Sequence, residues 1–184
     1  FDPIMLLIML SMYVYQLPML HLSLATFAAI STYIFIRCLL RRRATAWLAS
    51  RFASQLVRRI WVMPSLNRLF YWDFVMETDK RYINGRLGAL YPLLEVKADL
   101  PRHNNPTTLA PEARKTTLGE FFTTFTPFIY FEELPDDETP TVNIYDLRYH
   151  SGGNFVHSAT IVFTPDNTPG DSYIHSLGRT VKVR

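Results

Sequence analysis

The sequence has 184 residues, enough for a short membrane segment and one folded domain of roughly 110 residues. Its net charge of +3 is unevenly distributed. Eight arginines and Asp2 give residues 1–72 a charge of +7, whereas eleven basic and fifteen acidic side chains give residues 73–184 a charge of −4. The single cysteine, Cys38, excludes an internal disulfide and a cysteine-based zinc site. Because the positive charge lies beside an apolar stretch, we expect anionic lipid head groups and no nucleic acid as its counter-charge.

An apolar stretch without Asp, Glu, Lys or Arg runs from Pro3 to Ile36. Clustered arginines follow it directly, beginning with Arg37. Because moving arginine across a bilayer is unfavourable, this order is typical of a membrane exit on the cytoplasmic side. We therefore expect an integral membrane protein whose polar remainder lies in the cytoplasm.

The apolar run over residues 4–40 is too long for one span of about 20 residues. Pro18 removes a helical donor and disfavours helix in the residue before it, so a break near residues 16–18 is expected. We predict a transmembrane helical hairpin with helices over residues 3–16 and 22–40, and take residues 1–43 as the membrane anchor. One long span with a proline kink and an exposed N-terminal extension is the alternative.

Residues 44–62 are predicted to form an amphipathic helix in the plane of the head groups. The segment assigned to this interfacial helix is residues 44–63. Leu48, Phe52, Leu56 and Ile60 recur at i+4 spacing, while arginines occupy other faces and tryptophans lie near both ends. A core helix packed on the soluble domain is the alternative. The predicted membrane-interface residues are Arg41, Arg42, Arg43, Trp47, Arg51, Arg58, Arg59 and Trp61.

The remainder, residues 64–184, is predicted to be a small β-rich soluble domain, which makes the fold class α+β. Aromatic and β-branched residues predict a strand over 70–78 that returns over 81–87 after a turn at Asp79. The clearest hairpin joins residues 141–149 to 154–163 through Gly152 and Gly153. Further predictions are a loop over 98–112, a helix over 111–122, a strand over 128–131, a turn over 165–171 and a weak strand over 179–183.

No self-sufficient active site is apparent. The five histidines form no helical i, i+4 pair, and the acidic residues 132–138 lack the spacing of a calcium loop. There is also no phosphate loop, nucleophile elbow or dinucleotide fingerprint. We therefore predict no catalytic residue, no cofactor and no tightly bound metal. Asp146 and Arg148, two apart on one predicted strand, are expected to act structurally.

Short motifs resemble the later half of the membrane-bound metal-dependent hydrolases, the YdjM-like inner-membrane family. In that family an Asn-Pro-Phe-x-Trp stretch leads into a Val-x-Glu-Thr strand, a Tyr-x-x-Gly return and an Asp-Leu-Arg-Tyr strand. The corresponding residues are Asn67 to Trp72, Val75 to Thr78, Tyr82 to Gly85, and Asp146 to Tyr149. The resemblance implies a bacterial inner (plasma) membrane protein.

The family's metal-binding motif, His-Arg-x-x-Thr-His-Ser, has no counterpart here. His157 and Ser158 match its ending, but Gly152 stands where the first histidine would be. Two hypotheses follow. The first is a non-catalytic membrane-anchored accessory subunit that docks on other membrane protein subunits and derives from a hydrolase-like family. The second is a membrane-bound metal-dependent hydrolase whose catalytic N-terminal half is not in this chain. We favour the first, a protein without enzymatic activity of its own.

Overall fold

The computed structural model describes residues 3–14, 19–65, 68, 70–91, 93–102, 109–134, 139–151, 153–176 and 178–183. Two N-terminal helices precede antiparallel sheets and two short helices. The α+β class predicted from the sequence is therefore confirmed.

The two N-terminal helices are α1, Pro3–Val14, and α2, Met19–Arg51, and they contact each other. At 1.5 Å per residue, α1 is about 18 Å long and α2 about 50 Å. Of the helices in the described part of the chain, one, over Leu20–Arg51, is long and apolar enough to cross a membrane by length and composition. The pair agrees with the predicted hairpin, although the predicted break at residues 16–18 lies outside the described residues.

The predicted amphipathic helix over residues 44–62 is wrong beyond Arg51. The chain turns at residues 52–55 and continues as strand β1, Val57–Pro64. β1 pairs antiparallel with the strand that begins at Tyr71, and this pairing outweighs the helical spacing of the apolar residues. Leu56, expected on the apolar face of the helix, is 74% exposed. The anchor boundary drawn at residue 43 falls inside α2, and the first sheet begins at Val57.

Sheet 1 is an antiparallel meander of β1, β2 (Tyr71–Thr78), β3 (Arg81–Gly88) and β4 (Leu94–Pro101). The predicted 70–78 and 81–87 hairpin is confirmed as β2 and β3. β4 was not predicted, and its end lies in the stretch assigned to a loop. One face of the sheet packs against the second half of α2. That core combines Ala44 and Leu48 of α2 with side chains of the sheet, namely Val62, Trp72, Phe74, Met76, Ile83 and Leu87.

Sheet 2 is a five-stranded antiparallel sheet that carries two short helices on one face. The helices are α3, Leu109–Lys115, and α4, Thr117–Phe125, so the single helix predicted over 111–122 is interrupted at Thr116. The strands are β5, Ile129–Leu134; β6, Thr141–Asp146; β9, His157–Phe163; β10, Pro169–Ser176; and β11, Arg179–Val183. Across the sheet they lie in the order β11-β10-β9-β6-β5.

The long hairpin predicted over 141–149 and 154–163 is confirmed as the antiparallel pair β6 and β9. A two-stranded ribbon of β7, His150–Ser151, and β8, Asn154–Phe155, forms its tip. Gly153 takes a φ of 90° there, as expected for a glycine in the turn. β10 was missed, because its first residues fall in the predicted turn over 165–171.

A third cluster of buried side chains joins the two sheets. Met63 and Val75 of sheet 1 pack with Tyr130 of β5 and with Phe128 and Leu147, which lie next to strands β5 and β6 of sheet 2. The predicted β-rich domain is thus built from two sheets that share a core.

Candidate membrane-proximal site

The helix α2 has two halves with different surroundings. In its first half large apolar side chains are exposed, among them Leu24, Phe27 and Phe35. In its second half Ala44 and Leu48 are buried against sheet 1. No charged residue lies in the first half, and the change occurs over residues 37–43, where four arginines lie. Helix α2 therefore has an exposed apolar half that is continuous with a half packed on the folded domain.

Strand register places two loops at the same end of sheet 1. Pro64 pairs with Trp72, Tyr71 pairs with Gly88, and Leu87 pairs with Leu94. The β1–β2 and β3–β4 connections therefore lie at one edge of the sheet, while the β2–β3 turn lies at the other.

The near edge is close to the arginine cluster of α2. Met63, Pro64 and Trp72 line a cleft with Arg37 and Arg41, so this edge adjoins the point where α2 leaves its apolar half. At the opposite edge, the backbone N–H of Asp79 donates to the carbonyl of Leu56, beyond the end of α2.

The loops at the near edge carry exposed apolar side chains, which we call the apolar rim. Its members are Phe70, Leu90, Tyr91 and Leu93, and Tyr91 is 81% exposed. The loop at the far edge contains Asp79 and Lys80 instead. Apolar and charged loops thus occupy opposite ends of the same sheet.

Two arginines and two tryptophans pack together where the apolar half of α2 ends, over residues 37–43. We call this place the exit of α2. The guanidinium carbon of Arg37 lies 4.5 Å from the ring centroid of Trp72, and that of Arg41 lies 5.9 Å from the ring centroid of Trp61. Cation–π contacts of this kind contribute about 0.5–2 kcal/mol, depending on solvent exposure. Arg41 and Trp61 were predicted as interface residues, whereas Arg37 and Trp72 were missed.

The other predicted interface residues separate into two groups. Arg42, Arg43 and Arg51 are exposed on α2, while Trp47 is half-buried beside the core of sheet 1. The remaining two lie on β1 and form ion pairs within the domain. Arg58 pairs with Asp79, and this contact raises the pKa of Arg58. Arg59 pairs with Glu77 at 2.9 Å. These two arginines are therefore not part of the α2 exit.

Buried charges on the second face of sheet 1 were not recognised in the sequence. Arg86 donates to Asp73 at 2.8 Å across β2 and β3, and both side chains are nearly buried. Glu77 also accepts from Arg102 at 3.0 Å. Asn84 donates to the carbonyl of Leu147, which links the two sheets. Charges at alternate positions of β2 were the available signal, because they place both carboxylates on one face.

Asp146 and Arg148 form a close, largely buried pair. Arg148 Nε lies 3.0 and 3.1 Å from the two carboxylate oxygens of Asp146, and Nη2 lies 2.8 Å from Oδ2. Thr126 Oγ1 donates to Oδ1 at 2.9 Å, and the backbone N–H of Arg148 donates to the same oxygen at 3.0 Å. Hydrogen bonding to Asp146 raises the pKa of Arg148. The predicted structural role agrees with this geometry and stays a prediction.

Histidines and acidic residues are dispersed. In the part of the chain that the structure describes, no group of three His, Cys, Asp or Glu residues could hold a metal ion. His21 is exposed near the start of α2, and His103 lies outside the described residues. Burial, with the positive charges of Lys97 and Arg86, lowers the pKa of His150. Of the predicted acidic loop, Glu132 and Glu133 belong to β5 and residues 135–138 are not described.

A cleft of about 820 Å³ lies on the face of sheet 2 opposite its helices. Tyr145 there donates to Glu132 at 2.8 Å, and burial followed by this hydrogen bond raises the pKa of Tyr145 to about 12. Nε2 of His175 lies 2.9 Å from Oγ1 of Thr160, and Nδ1 of His175 lies 2.9 Å from Oγ1 of Thr180. Tyr145 therefore has Glu132 as a hydrogen-bond partner, and both ring nitrogens of His175 have a threonine hydroxyl as a partner.

Comparison with known proteins finds a family match in the C-terminal part of the chain. Residues 108–183 match the family model of the YfhP C-terminal alpha/beta plait domain. This range covers sheet 2 with α3 and α4, an antiparallel sheet with helices on one face. No curated protein matches the chain. No solved structure matches it either. The comparisons therefore support a C-terminal plait domain and do not extend to a YdjM-like hydrolase.

Proposed function

We propose that this protein is a non-catalytic, membrane-anchored accessory subunit of a larger membrane protein complex. Helices α1 and α2 insert in the bacterial inner membrane, and the two sheets lie on its cytoplasmic side. The arginines at the exit of α2 interact with anionic head groups, and the domain contacts other membrane subunits.

The observation that carries the proposal is the division of α2. An uncharged half with exposed Leu24, Phe27 and Phe35 continues without interruption into a half whose Ala44 and Leu48 are buried in sheet 1. Apolar surface of this extent on a helix is stable in hydrocarbon and unfavourable in water. A helix continuous with the domain core also limits how the domain can tilt relative to the bilayer.

The apolar rim supports the same placement. Phe70, Leu90, Tyr91 and Leu93 lie at the edge of sheet 1 that adjoins the exit of α2. Aromatic and aliphatic side chains at this depth can enter the interfacial region, where amphipathic rings are favoured. The domain would thus rest against the membrane surface through its apolar loops.

A contact surface for another subunit is present on α4. Phe121 and Phe125 are exposed, and their ring centroids are 5.7 Å apart in a stacked arrangement. Rigid aromatic side chains of this kind are enriched in the centres of protein interfaces. These residues lie on α4 of the plait domain, whereas the apolar rim lies in the loops of sheet 1.

Descent from a hydrolase-like family is part of the proposal and is supported only by the motifs quoted above. The alternative is a membrane-bound metal-dependent hydrolase completed by a catalytic half outside this chain. A hydrolase of this kind needs several ligands converging on one ion to activate water. A stoichiometric zinc or manganese ion bound by this chain alone would contradict the accessory-subunit proposal.

The proposal is tested by isolating the protein from its native membranes in a mild detergent and measuring the mass of the particle. We expect the wild-type chain of 21.4 kDa to co-purify in a particle of larger, defined mass. The variant Phe121→Ser/Phe125→Ser should dissociate from this particle. The variant Leu134→Ser, which also changes an exposed apolar residue, should remain in it. A wild-type chain that is monomeric in its own membranes would contradict the proposal.

A further inference from the structure

We propose that the cleft between α1, α2 and the near edge of sheet 1 binds the phosphodiester head group of one anionic phospholipid. The cleft has a volume of about 420 Å³, within the range of about 300–1,000 Å³ typical of ligand pockets. The residues that matter for the argument are Met5, Ile34, Arg37, Arg41, Trp61 and Trp72. This inference rests on the proposed membrane anchorage and goes beyond it, because it assigns a specific site.

The first observation is an unused hydrogen-bond donor. Trp72 lines the cleft and is 2% exposed, and its indole Nε1–H has no hydrogen-bond partner among the described residues. A buried indole N–H normally has an acceptor, since leaving it unpaired is unfavourable. The nitrogen is closed off from solvent and Arg37 lies over the ring, so a ligand oxygen would supply that acceptor only after a local side-chain movement.

The second observation is the charge of the cleft. Arg37 and Arg41 are four residues apart on α2, so both project from the same side of the helix. Arg37 already lies over the rings of Tyr33 and Trp72, so Arg41 is the arginine on which the argument depends. Guanidinium groups donate in a planar fork that fits phosphate oxygens, so an anionic oxygen ligand is favoured over a neutral one.

The third observation is the apolar part of the wall. Met5, Ile34, Val62 and Met63 line the same cleft. A free phosphate ion has no group that could contact these side chains. A phospholipid has its glycerol backbone and first methylene groups directly below the phosphate, which matches a cleft with a basic and an apolar side. The position at the end of the uncharged half of α2 is also the depth of lipid phosphates.

The test uses the full chain in a non-ionic detergent, titrated with dioctanoyl-phosphatidylglycerol, dioctanoyl-phosphatidylcholine and inorganic phosphate and followed by native mass spectrometry. The variants are Trp72→Phe, which removes the N–H and keeps an aromatic ring, and Arg41→Met. Arg42→Met is the matched control, because Arg42 is the next residue on the helix and does not line the cleft. The proposed contact of Arg42 is with the head groups of an intact bilayer, which the detergent sample lacks. Circular dichroism checks that each variant is folded.

We expect phosphatidylglycerol to bind at least about tenfold more tightly than phosphatidylcholine, and inorganic phosphate not to compete at the same concentration. Trp72→Phe and Arg41→Met should each weaken phosphatidylglycerol binding about tenfold, equivalent to about 1.4 kcal/mol, and Arg42→Met by less than about twofold. Because Trp72 is a core residue, Arg41→Met decides the matter if Trp72→Phe is unfolded.

Three results would overturn the assignment: unchanged binding in folded Arg41→Met, an equal loss in Arg42→Met, or competition by inorganic phosphate as effective as that by lipid. The second would mean diffuse attraction to the arginine cluster, and the third a site for free phosphate. Flotation of the wild-type protein with vesicles separates this failure from that of the anchorage. A protein that floats without lipid selectivity refutes the cleft alone, whereas one that does not float refutes both.

Discussion

Replacement of Arg148 by Met should destabilise the plait domain by removing the cation from a buried carboxylate. Asp146 has a side chain that is 0% exposed, and that of Arg148 is 18% exposed. The substitution removes the three contacts between the guanidinium and the carboxylate, including all of the described contacts to Oδ2. Thr126 and the backbone N–H of residue 148 still donate to Oδ1.

Breaking a buried ion pair by removing one partner costs about 3–5 kcal/mol, and the two retained hydrogen bonds favour the lower end of that range. Loss of the stacking of Arg148 on Phe125, at 4.8 Å, adds about 0.5–1 kcal/mol. We therefore expect a loss of about 3–4 kcal/mol. For a protein of this size, that corresponds to a decrease in Tm of about 10 °C.

The assay is thermal unfolding in detergent, followed by near-ultraviolet circular dichroism. Lys115→Met, which breaks the exposed pair with Glu112 on α3, is the control and should change stability by less than about 0.5 kcal/mol. The double variant Asp146→Asn/Arg148→Met should be more stable than Arg148→Met, because no unpaired charge remains. The reasoning is refuted if Arg148→Met unfolds within about 1 kcal/mol of the wild type, or if it loses an activity at unchanged stability.

Three further predictions concern other parts of the molecule. Gly85→Ala should destabilise sheet 1 by about 1–3 kcal/mol in denaturant unfolding, because the added Cβ would overlap the carbonyl oxygen of Glu95 and the ring of Phe74. Wild-type stability of this variant would show that the strands can separate without cost. Burial and the hydrogen bond of Tyr145 raise its pKa from 10.0 to about 12, so the unfolded chain loses this proton first and stability should fall between those two pH values. The fall should be smaller in Tyr145→Phe, and identical pH profiles would contradict the assignment. Phe27→Arg should reduce the fraction of protein retained in carbonate-washed membranes, because inserting an arginine near the centre of a span costs about 2.5–3.5 kcal/mol. The control Phe121→Arg on α4 should leave that fraction unchanged, and equal retention of both variants would argue against insertion of α2.

The elements with strong local signals were predictable from the sequence. The apolar run ending at Arg37, the aromatic β2 strand and the glycine turn at Gly153 all form the structures that their residues favour. Strand β10 was missed because its residues alternate weakly, and pairing with β9 and β11 stabilises it. Strand β4 was missed although Leu94 to Leu100 alternate between apolar and polar residues, as a half-buried strand does. Local composition does not reveal such non-local pairing.

The candidate site was only partly predictable for the same reason. The arginine cluster was recognised, but the helical spacing of Leu48, Phe52, Leu56 and Ile60 predicted a helix where β1 forms. Trp61 and Arg59 therefore project from a strand, and only the antiparallel pairing of β1 with β2 brings Trp72 next to Arg37. The cleft depends on this tertiary arrangement, which no spacing along the chain indicates.

The most direct test of membrane anchorage with a cytoplasmic domain is a cysteine-accessibility scan in a Cys38→Ser background. Single cysteines at Leu24, Phe27 and Ser50 are labelled with a membrane-impermeant maleimide in right-side-out and inside-out vesicles. The account predicts protection at positions 24 and 27 in both preparations, and labelling at position 50 only in inside-out vesicles. Labelling of positions 24 and 27 as fast as position 50, or labelling of position 50 from the outer side, would contradict it.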